Sequence, residues 1–422
     1  MPKKLIIILF SIKIITLLIF CDFSVMNYDE ETCYEIANNF LNGKNYGLFN
    51  MEGKYVLSSF HNNGMVLFYQ KMIENNFPKQ IWIYIYYFVS HVFFLLSLIS
   101  FYKICIEFMH NKKARIAMAV YALYPSILLF IGTGFYLENL STYLLIIIIY
   151  QLIKWKVSKT ISILKIIIAA ILVAISCYIR NQMIFIYFIL FSVVFIIYIK
   201  KRIKIYKFLF FISILIMMVS VIFYPILLKN KKQFDEYILS TQSGFEFLQG
   251  HNPTARGSWM SGGWEKNNPL YKYSHENIKG LDSMNELEAS NARKTLAFEW
   301  VKNHPIDDIK LEFRKIAIYF LPKNFEGFRY RTFNIYNPIN LLIHIGFISF
   351  LIILMLNFRR LFSTSILIIL LPIIASIAIS LIFFVGYRWR IYAEPFMIIC
   401  TFILLQWYTD WKHKKIQSSI VK

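Results

Sequence analysis

Apolar residues fall into long runs at 5–20, 80–102, 116–129, 137–153, 161–178, 183–199, 208–228, 338–356, 362–385 and 391–409. Most are close to the ~20 residues that cross a hydrocarbon core as a helix. The strict alternation of a transmembrane β-barrel is absent. The pattern predicts an all-α polytopic membrane protein with about ten transmembrane helices. Two long polar stretches interrupt it, at 24–79 and 229–337. They divide the chain into an N-terminal membrane module (1–228, helices 1–7), a polar region (229–337) and a C-terminal membrane module (338–422, helices 8–10).

The polar stretches carry structure of their own. Between Asn27 and Lys44, Tyr34, Ala37 and Leu41 share one helical face, and Gly43 stops the helix. In the second stretch, Ser283-x-x-Glu286 reads as a capping box, and His304-Pro305 breaks the helix it opens. A further helix has Ile309, Phe313, Ile316 and Phe320 at helical spacing and stops at Leu321-Pro322. It is expected to lie on the outer membrane surface or on the bundle.

Charge orients this layout. The chain is 58% hydrophobic and 16% charged, with a net charge of +21. Six short segments on alternate sides of the helices hold 21 of its 45 lysines and arginines, whereas 229–337 is nearly balanced at 16 basic and 13 acidic residues. That is the bias that places short basic loops in the cytoplasm. It puts both termini inside, loops 24–79 and 229–337 outside, and gives no footprint for nucleic acid. Residues 5–20 could be a signal peptide, but the run is long for one and no small-x-small cleavage site follows, so a retained first helix is expected. Five cysteines without paired spacing give neither a disulfide framework nor a zinc motif.

The inside loops are too short for a nucleotide-binding domain, and no G-x-G-x-x-G, Walker or D-x-D pattern appears. An enzyme with all its polar structure outside needs a substrate activated by something that lives in the membrane. No cofactor is implied and no metal-ligand cluster is evident.

Ionisable residues at helix ends are the candidates for chemistry. Asp29 and Glu30 stand closest to the exit of the first helix, whereas Glu31 and Glu35 read as solvated. Glu138 opens helix 4, as a ligand group or as a carboxylate favoured by the macrodipole. Arg180, Arg388 and Arg390 sit in outer turns against the charge bias, Arg390 with Glu394 four residues on. Three guanidinium groups on one side suit an anion such as phosphate. The glycines and Asn252-Pro253 of 241–257 mark tight turns, in a ligand loop or an ordinary one.

The ordered set of segments resembles the bacterial and archaeal membrane glycosyltransferases of the GT-C fold, the group that includes protein O-mannosyltransferases and aminoarabinose transferases of lipid A (family 39-like). Residues 27–44 match an Asp-Glu-x-x-Tyr-x-x-Ile-Ala-x-x-Leu-x-x-Gly pattern, and Tyr124-Pro125 through Glu138-Asn139-Leu140 looks like a Tyr-Pro…Glu-x-Leu segment. Gly250-His251-Asn252-Pro253-Thr254-Ala255 resembles a Gly-Asn-Asn-Pro-x-Ala loop. Arg388-Trp389-Arg390-Ile391-Tyr392-Ala393-Glu394-Pro395-Phe396 is similar to an Arg-Tyr-Arg-Leu-Pro-x-x-Pro-Phe ending. The chain departs at His61-Asn62-Asn63-Gly64, where prolines are usual, and at Asn181 after Arg180.

The resemblance implies transfer of a sugar from a polyprenyl-phosphate carrier to an acceptor glycan, lipid or protein on the outer face of the cell membrane, without a metal. Asp29 would be the general base and Glu30 its support. Substrate binding would fall to His61, Glu138, Arg180, Asn252, Arg388 and Arg390. A polysaccharide ligase or polymerase using lipid-pyrophosphate oligosaccharides, a flippase or transporter of lipid-linked sugars, and a non-catalytic assembly protein are the alternatives.

Overall fold

The computed structural model describes residues 2–20, 28–49, 55–59, 63–129, 137–157, 162–200, 205–259, 266–321 and 337–420. Helix α1 (Lys3–Phe20) is followed by α2 (Tyr28–Leu41), a hairpin of β1 (Gly47–Phe49) and β2 (Tyr55–Leu57), and α3 (Asn63–Glu74). The hairpin is antiparallel, with Leu48 opposite Val56. Next come α4 (Lys79–Cys105), α5 (Asn111–Leu123), α6 (Pro125–Leu129), α7 (Leu137–Val157), α8 (Ile163–Ile179), α9 (Met183–Lys200) and α10 (Ile205–Phe234). The second polar stretch holds α11 (Gln242–Gly250), α12 (Pro269–Asn277), α13 (Glu286–Asn303) and α14 (Pro305–Phe320). The chain closes with α15 (Asn337–Leu356), α16 (Phe358–Leu361), α17 (Thr364–Ile382), α18 (Tyr387–Arg390) and α19 (Glu394–Ile420).

Each expected membrane segment is helical, but they are not alike. Among the described residues five helices are long and apolar enough to cross a membrane: Gln80–Cys105, Leu137–Trp155, Phe208–Phe234, Pro338–Leu356 and Thr364–Ile382. Ile163–Ile179 and Met183–Ile197 are apolar but shorter. The third expected span is broken, because Tyr124 is extended and Pro125 begins a separate turn of helix. A proline disfavours helical backbone in the residue before it, which accounts for the break.

One apolar core runs through the bundle, joining Phe94, Phe101, Tyr121, Ile146, Ala170, Leu190, Phe347, Ile369 and Ile399. A second cluster seats the first polar loop on the start of α7. Cys33, Ile36 and Ala37 of α2 and Met65, Val66 and Tyr69 of α3 join Leu137, Leu140 and Leu144 of α7. The buried face of α2 therefore centres on 33, 36 and 37, and Glu31 and Glu35 point away into solvent.

The expected capping box is displaced by two residues. The N-cap of α13 is Asn285, whose side chain accepts from the Glu288 amide while Glu288 accepts from the Asn285 amide, both at 2.9 Å. Ser283 belongs to a 3-10 turn. Glu286 is freed for a long-range task. Its carboxylate accepts from Ser58 Oγ (2.8 Å), the Ser59 amide (2.6 Å) and Thr241 Oγ1 (2.5 Å), tying the first loop to the second. Burial pushes the Glu286 carboxyl up, opposed by these hydrogen bonds and by Lys229.

Candidate functional site

The start of α7 and the end of α8 bring a carboxylate and a guanidinium together. Glu138 lies in the first turn of α7 and is fully buried. Arg180 is the residue on which α8 ends, in extended backbone, so its side chain leaves the helix axis and its Nη2 donates to Glu138 Oε1. Arg388, on the short helix after α17, places Nε 3.9 Å from the same oxygen. Arg180 is 18% exposed and Arg388 41%. Among the described residues, two guanidinium groups thus converge on one carboxylate, and Arg388 is the more exposed of the two.

Among the described residues, Glu138 Oε2 and the Tyr392 hydroxyl are buried without a hydrogen-bond partner. Glu138, Arg180 and Arg388 are the charged groups acting on that hydroxyl. Both amide atoms of Asn139, beside Glu138, are likewise buried and unpaired. Buried polar groups are normally satisfied, so their concentration here suits a polar occupant.

The first loop is moored next to this cluster. Tyr178, two residues before Arg180, donates through its hydroxyl to the Gly64 carbonyl at 2.9 Å. A side chain at Gly64 would meet the Tyr178 carbonyl oxygen at 2.8 Å, so only glycine lets α3 start this close to the end of α8. Leu137 and Leu140 flank Glu138 and pack in the same cluster as α2. Asp29 and Glu30 occupy the first turn of that helix, with side chains outside the described residues. His61 lies outside the described residues altogether.

Arg390 differs sharply from Arg388. It is 1% exposed. Its Nε donates to Glu394 Oε1 at 3.0 Å, and its Nη1 donates to the carbonyls of Tyr319 (3.2 Å) and Leu321 (2.7 Å). Glu394 also accepts from Ser126 Oγ, just after the Tyr124-Pro125 break. These contacts tie the start of α19 to the end of α14, and they enclose Arg390, a residue expected to bind substrate.

Asn252 is also turned inward. Its amide nitrogen donates to the Leu248 carbonyl at 2.7 Å, and its oxygen accepts from the Thr254 amide (2.7 Å) and hydroxyl (2.6 Å). The loop it shapes grips the chain that leads to Arg388. Gly250 packs so close to Phe383 that a Cβ would lie 1.6 Å from its carbonyl oxygen. The Val385 amide donates to the Gly257 carbonyl at 2.9 Å, and the Trp259 amide to the Val385 carbonyl at 3.3 Å. The 250–259 loop thus binds the protein's own backbone.

His251, Asp308 and Glu312 are the group of side chains, among the described residues, whose ligand atoms could surround a metal, all within 4.8 Å. An ammonium already lies among them. Lys315 Nζ, on a side chain with no exposure, is 2.6 Å from Glu312 Oε1, 3.2 Å from His251 Nε2 and 2.7 Å from the Leu381 carbonyl. His251 Nδ1 meets Asp308 Oδ1 at 2.7 Å and its Nε2 meets the Ile382 carbonyl at 3.0 Å. Burial pushes the Lys315 ammonium down, with Glu312 and Asp308 opposing. Its contacts cap the last carbonyls of α17, so this cluster also steadies the approach to Arg388.

Ser126 and Lys315 carry no signal in the sequence, whereas Glu286 stood there in a capping box, Tyr392 in the C-terminal motif and Glu394 four residues after Arg390.

No family model and no curated protein sequence matches the chain. Solved structures do. The archaeal oligosaccharyltransferase AglB from Archaeoglobus fulgidus, in complex with an inhibitory peptide and a dolichol-phosphate, superposes with a TM-score of 0.52 at 11% identity. The match covers 99% of this chain and 51% of that one. The Archaeoglobus fulgidus oligosaccharyltransferase in its apo form gives 0.52 at 10% identity, covering 99% and 52%. The chain has the GT-C fold. It spans about half the length of those structures, and at such identity the likeness speaks for architecture alone. With its apolar helices it makes this an integral membrane protein.

Proposed function

We propose that the protein is a membrane glycosyltransferase that moves a sugar from a polyprenyl-phosphate carrier to an acceptor hydroxyl on the outer face of the membrane. The observation that carries this reading is the convergence of Arg180 and Arg388 on buried Glu138, beside the docked first loop. A lipid phosphate is the anion that can reach such a site laterally. Guanidinium groups bind phosphate oxygens through charge-assisted hydrogen bonds.

In the proposed reaction the acceptor oxygen attacks the anomeric carbon and the bond from that carbon to the phosphate oxygen breaks, with inversion. The acceptor proton passes to Asp29 as general base, and Glu30 supports the acceptor. The electron pair leaves on the polyprenyl phosphate, whose growing charge Arg388 and Arg180 stabilise. Glu138 holds the two arginines in register and Arg390 positions the turn. The topology that goes with this reading has ten crossings and both termini in the cytoplasm.

A second reading, transfer of an oligosaccharide from a lipid-pyrophosphate donor, is favoured by the fold neighbour being an oligosaccharyltransferase. The test is transfer by the purified protein in lipid nanodiscs from a synthetic polyprenyl-phosphate monosaccharide, set against a polyprenyl-pyrophosphate oligosaccharide. Turnover of the first donor supports the proposal, and turnover of the second alone replaces it. Asp29→Asn should lower transfer ~10²–10⁴-fold with protein level unchanged. Near-normal transfer by a well-folded Asp29→Asn protein would remove Asp29 from the mechanism.

A further inference from the structure

Helix α14 has two faces that do not match an ordinary surface helix. Leu311, Lys315 and Tyr319 are buried against the protein at 7%, 0% and 1% exposure. On the opposite side Ile306, Ile309 and Phe313 are 68%, 55% and 70% exposed, and Ala317 continues their line in the open. The spacing of 306, 309, 313 and 317 is that of one helical stripe. A helix with one side against protein should be polar on the other if that side met water. Here the polar residues are confined to the border, where Lys310 and Arg314 are exposed and Lys310 pairs with Asp307 at 3.0 Å.

The far end of the same helix is fastened to membrane-spanning helices. The Tyr319 hydroxyl donates to Ser376 Oγ of α17 at 2.8 Å. His344 Nδ1 of α15 meets the Phe320 carbonyl at 2.8 Å, and Lys315 reaches the Leu381 carbonyl at the end of α17. Ser376 lies six residues inside the end of α17, so at ~1.5 Å per residue the last turn of α14 is already below the level where that span ends. On the two helices that hold α14, Leu342 of α15 (67% exposed) and Ile382 of α17 (43% exposed) are likewise apolar and exposed.

We propose that α14 is an interfacial helix whose Ile306–Ile309–Phe313 face is embedded in the outer leaflet, at the boundary between headgroups and acyl chains. Its fastening to two helices apolar enough to cross a membrane and the basic border formed by Lys310 and Arg314 both fit a bilayer surface. The helix then has a mechanical consequence. Its inner face holds the end of α17 through Lys315 on the Leu381 carbonyl, just before the non-helical link to Arg388, so the height of the arginine turn is referred to the membrane surface itself. None of this depends on which sugar or acceptor the protein handles.

The test is spin-label accessibility in nanodiscs loaded with one copy each. Ile309→Cys and Phe313→Cys carry the label, with Leu342→Cys as the lipid reference and Lys302→Cys, on exposed α13, as the water reference. Cys33, Cys105, Cys177 and Cys400 are buried, and unsubstituted protein labelled in parallel gives the background. At 309 and 313, collisions with oxygen should exceed those with a water-soluble nickel chelate several-fold, as at 342 and opposite to 302. Labels that behave like 302 would place the face in water and overturn the proposal. Labels immobilised only when discs hold two copies, with water-like access in single-copy discs, would also overturn it, in favour of a second copy of this chain.

Discussion

Arg388 and Arg390 stand two residues apart on the same short helix, yet their surroundings are opposite. Arg388 is 41% exposed and shares a carboxylate with Arg180, and that carboxylate keeps one oxygen unpaired. Arg390 is sealed, with a carboxylate of its own and two carbonyls as acceptors. The same contrast separates the Glu138 cluster from the His251–Lys315 cluster, where the ammonium has three acceptors within 3.2 Å. A charged group whose hydrogen bonds are all made inside the protein holds the fold. One that keeps part of its head in solvent, as Arg388 does, is the more accessible to an external ligand.

The strongest way to break that comparison is Arg390→Ala. Removing it leaves Glu394 buried without its cation, which should cost about 3–5 kcal/mol of stability, read by denaturation in detergent. Replacing Arg390 by Met and Glu394 by Leu together should cost less than either single change. If Arg390→Ala is as stable as the parent, the arginine is not the anchor described.

Glu286→Gln comes next, with an expected loss of about 1–3 kcal/mol from weakened hydrogen bonds to Ser58, Ser59 and Thr241. Because burial raises the Glu286 carboxyl, its contribution is complete below the ordinary carboxylate value and is lost as pH rises through the raised one. Stability measured against pH should show that decline in the parent and not in the glutamine variant. A parent profile as flat as that of Gln would contradict the burial of this group.

Lys315→Met removes the internal cation and should destabilise by about 1–3 kcal/mol by leaving Glu312 and the Leu381 carbonyl short of a donor. Zinc should then restore part of the loss in the variant, since His251, Asp308 and Glu312 can converge on an ion. Zinc should not stabilise the parent. Zinc stabilisation of the parent at the same site would show that the lysine does not fill the cluster.

The smallest effect on stability belongs to Arg388→Ala, within about 0.5 kcal/mol, because its head is already partly in water. Its effect on transfer should be larger, about tenfold for the loss of one charge-assisted hydrogen bond of ~1.5 kcal/mol. Arg388→Lys should recover only part of it, since lysine keeps the charge without the planar fork. Equal loss of stability in Arg388→Ala and Arg390→Ala would erase the distinction between the two.

Much of this was legible along the chain because it depends on neighbours within one or two turns. Apolar runs marked the helices, His304-Pro305 divided α13 from α14, and residues four apart announced the Arg390–Glu394 pair. Where local signals competed, reading failed. Ser283-x-x-Glu286 and Asn285-x-x-Glu288 both spell a capping box, and only the folded chain shows that Glu286 is claimed by Ser58, Ser59 and Thr241. The turn-rich loop around Asn252 is open in sequence to a ligand or to its own backbone, and only the folded chain shows the bonds Asn252 makes to Leu248 and Thr254.

By itself the sequence determined that the chain is a helical membrane protein, where its charge bias lies and which few ionisable residues stand at helix ends. Hydropathy and charge act residue by residue and need no partner to be read. Tertiary structure decided which of those residues meet. Ser126 and Glu394 are 268 positions apart, and Glu138 lies 42 positions from Arg180. Their meeting follows from how the helices pack, and so does the choice of which arginine is enclosed and which is left facing outward.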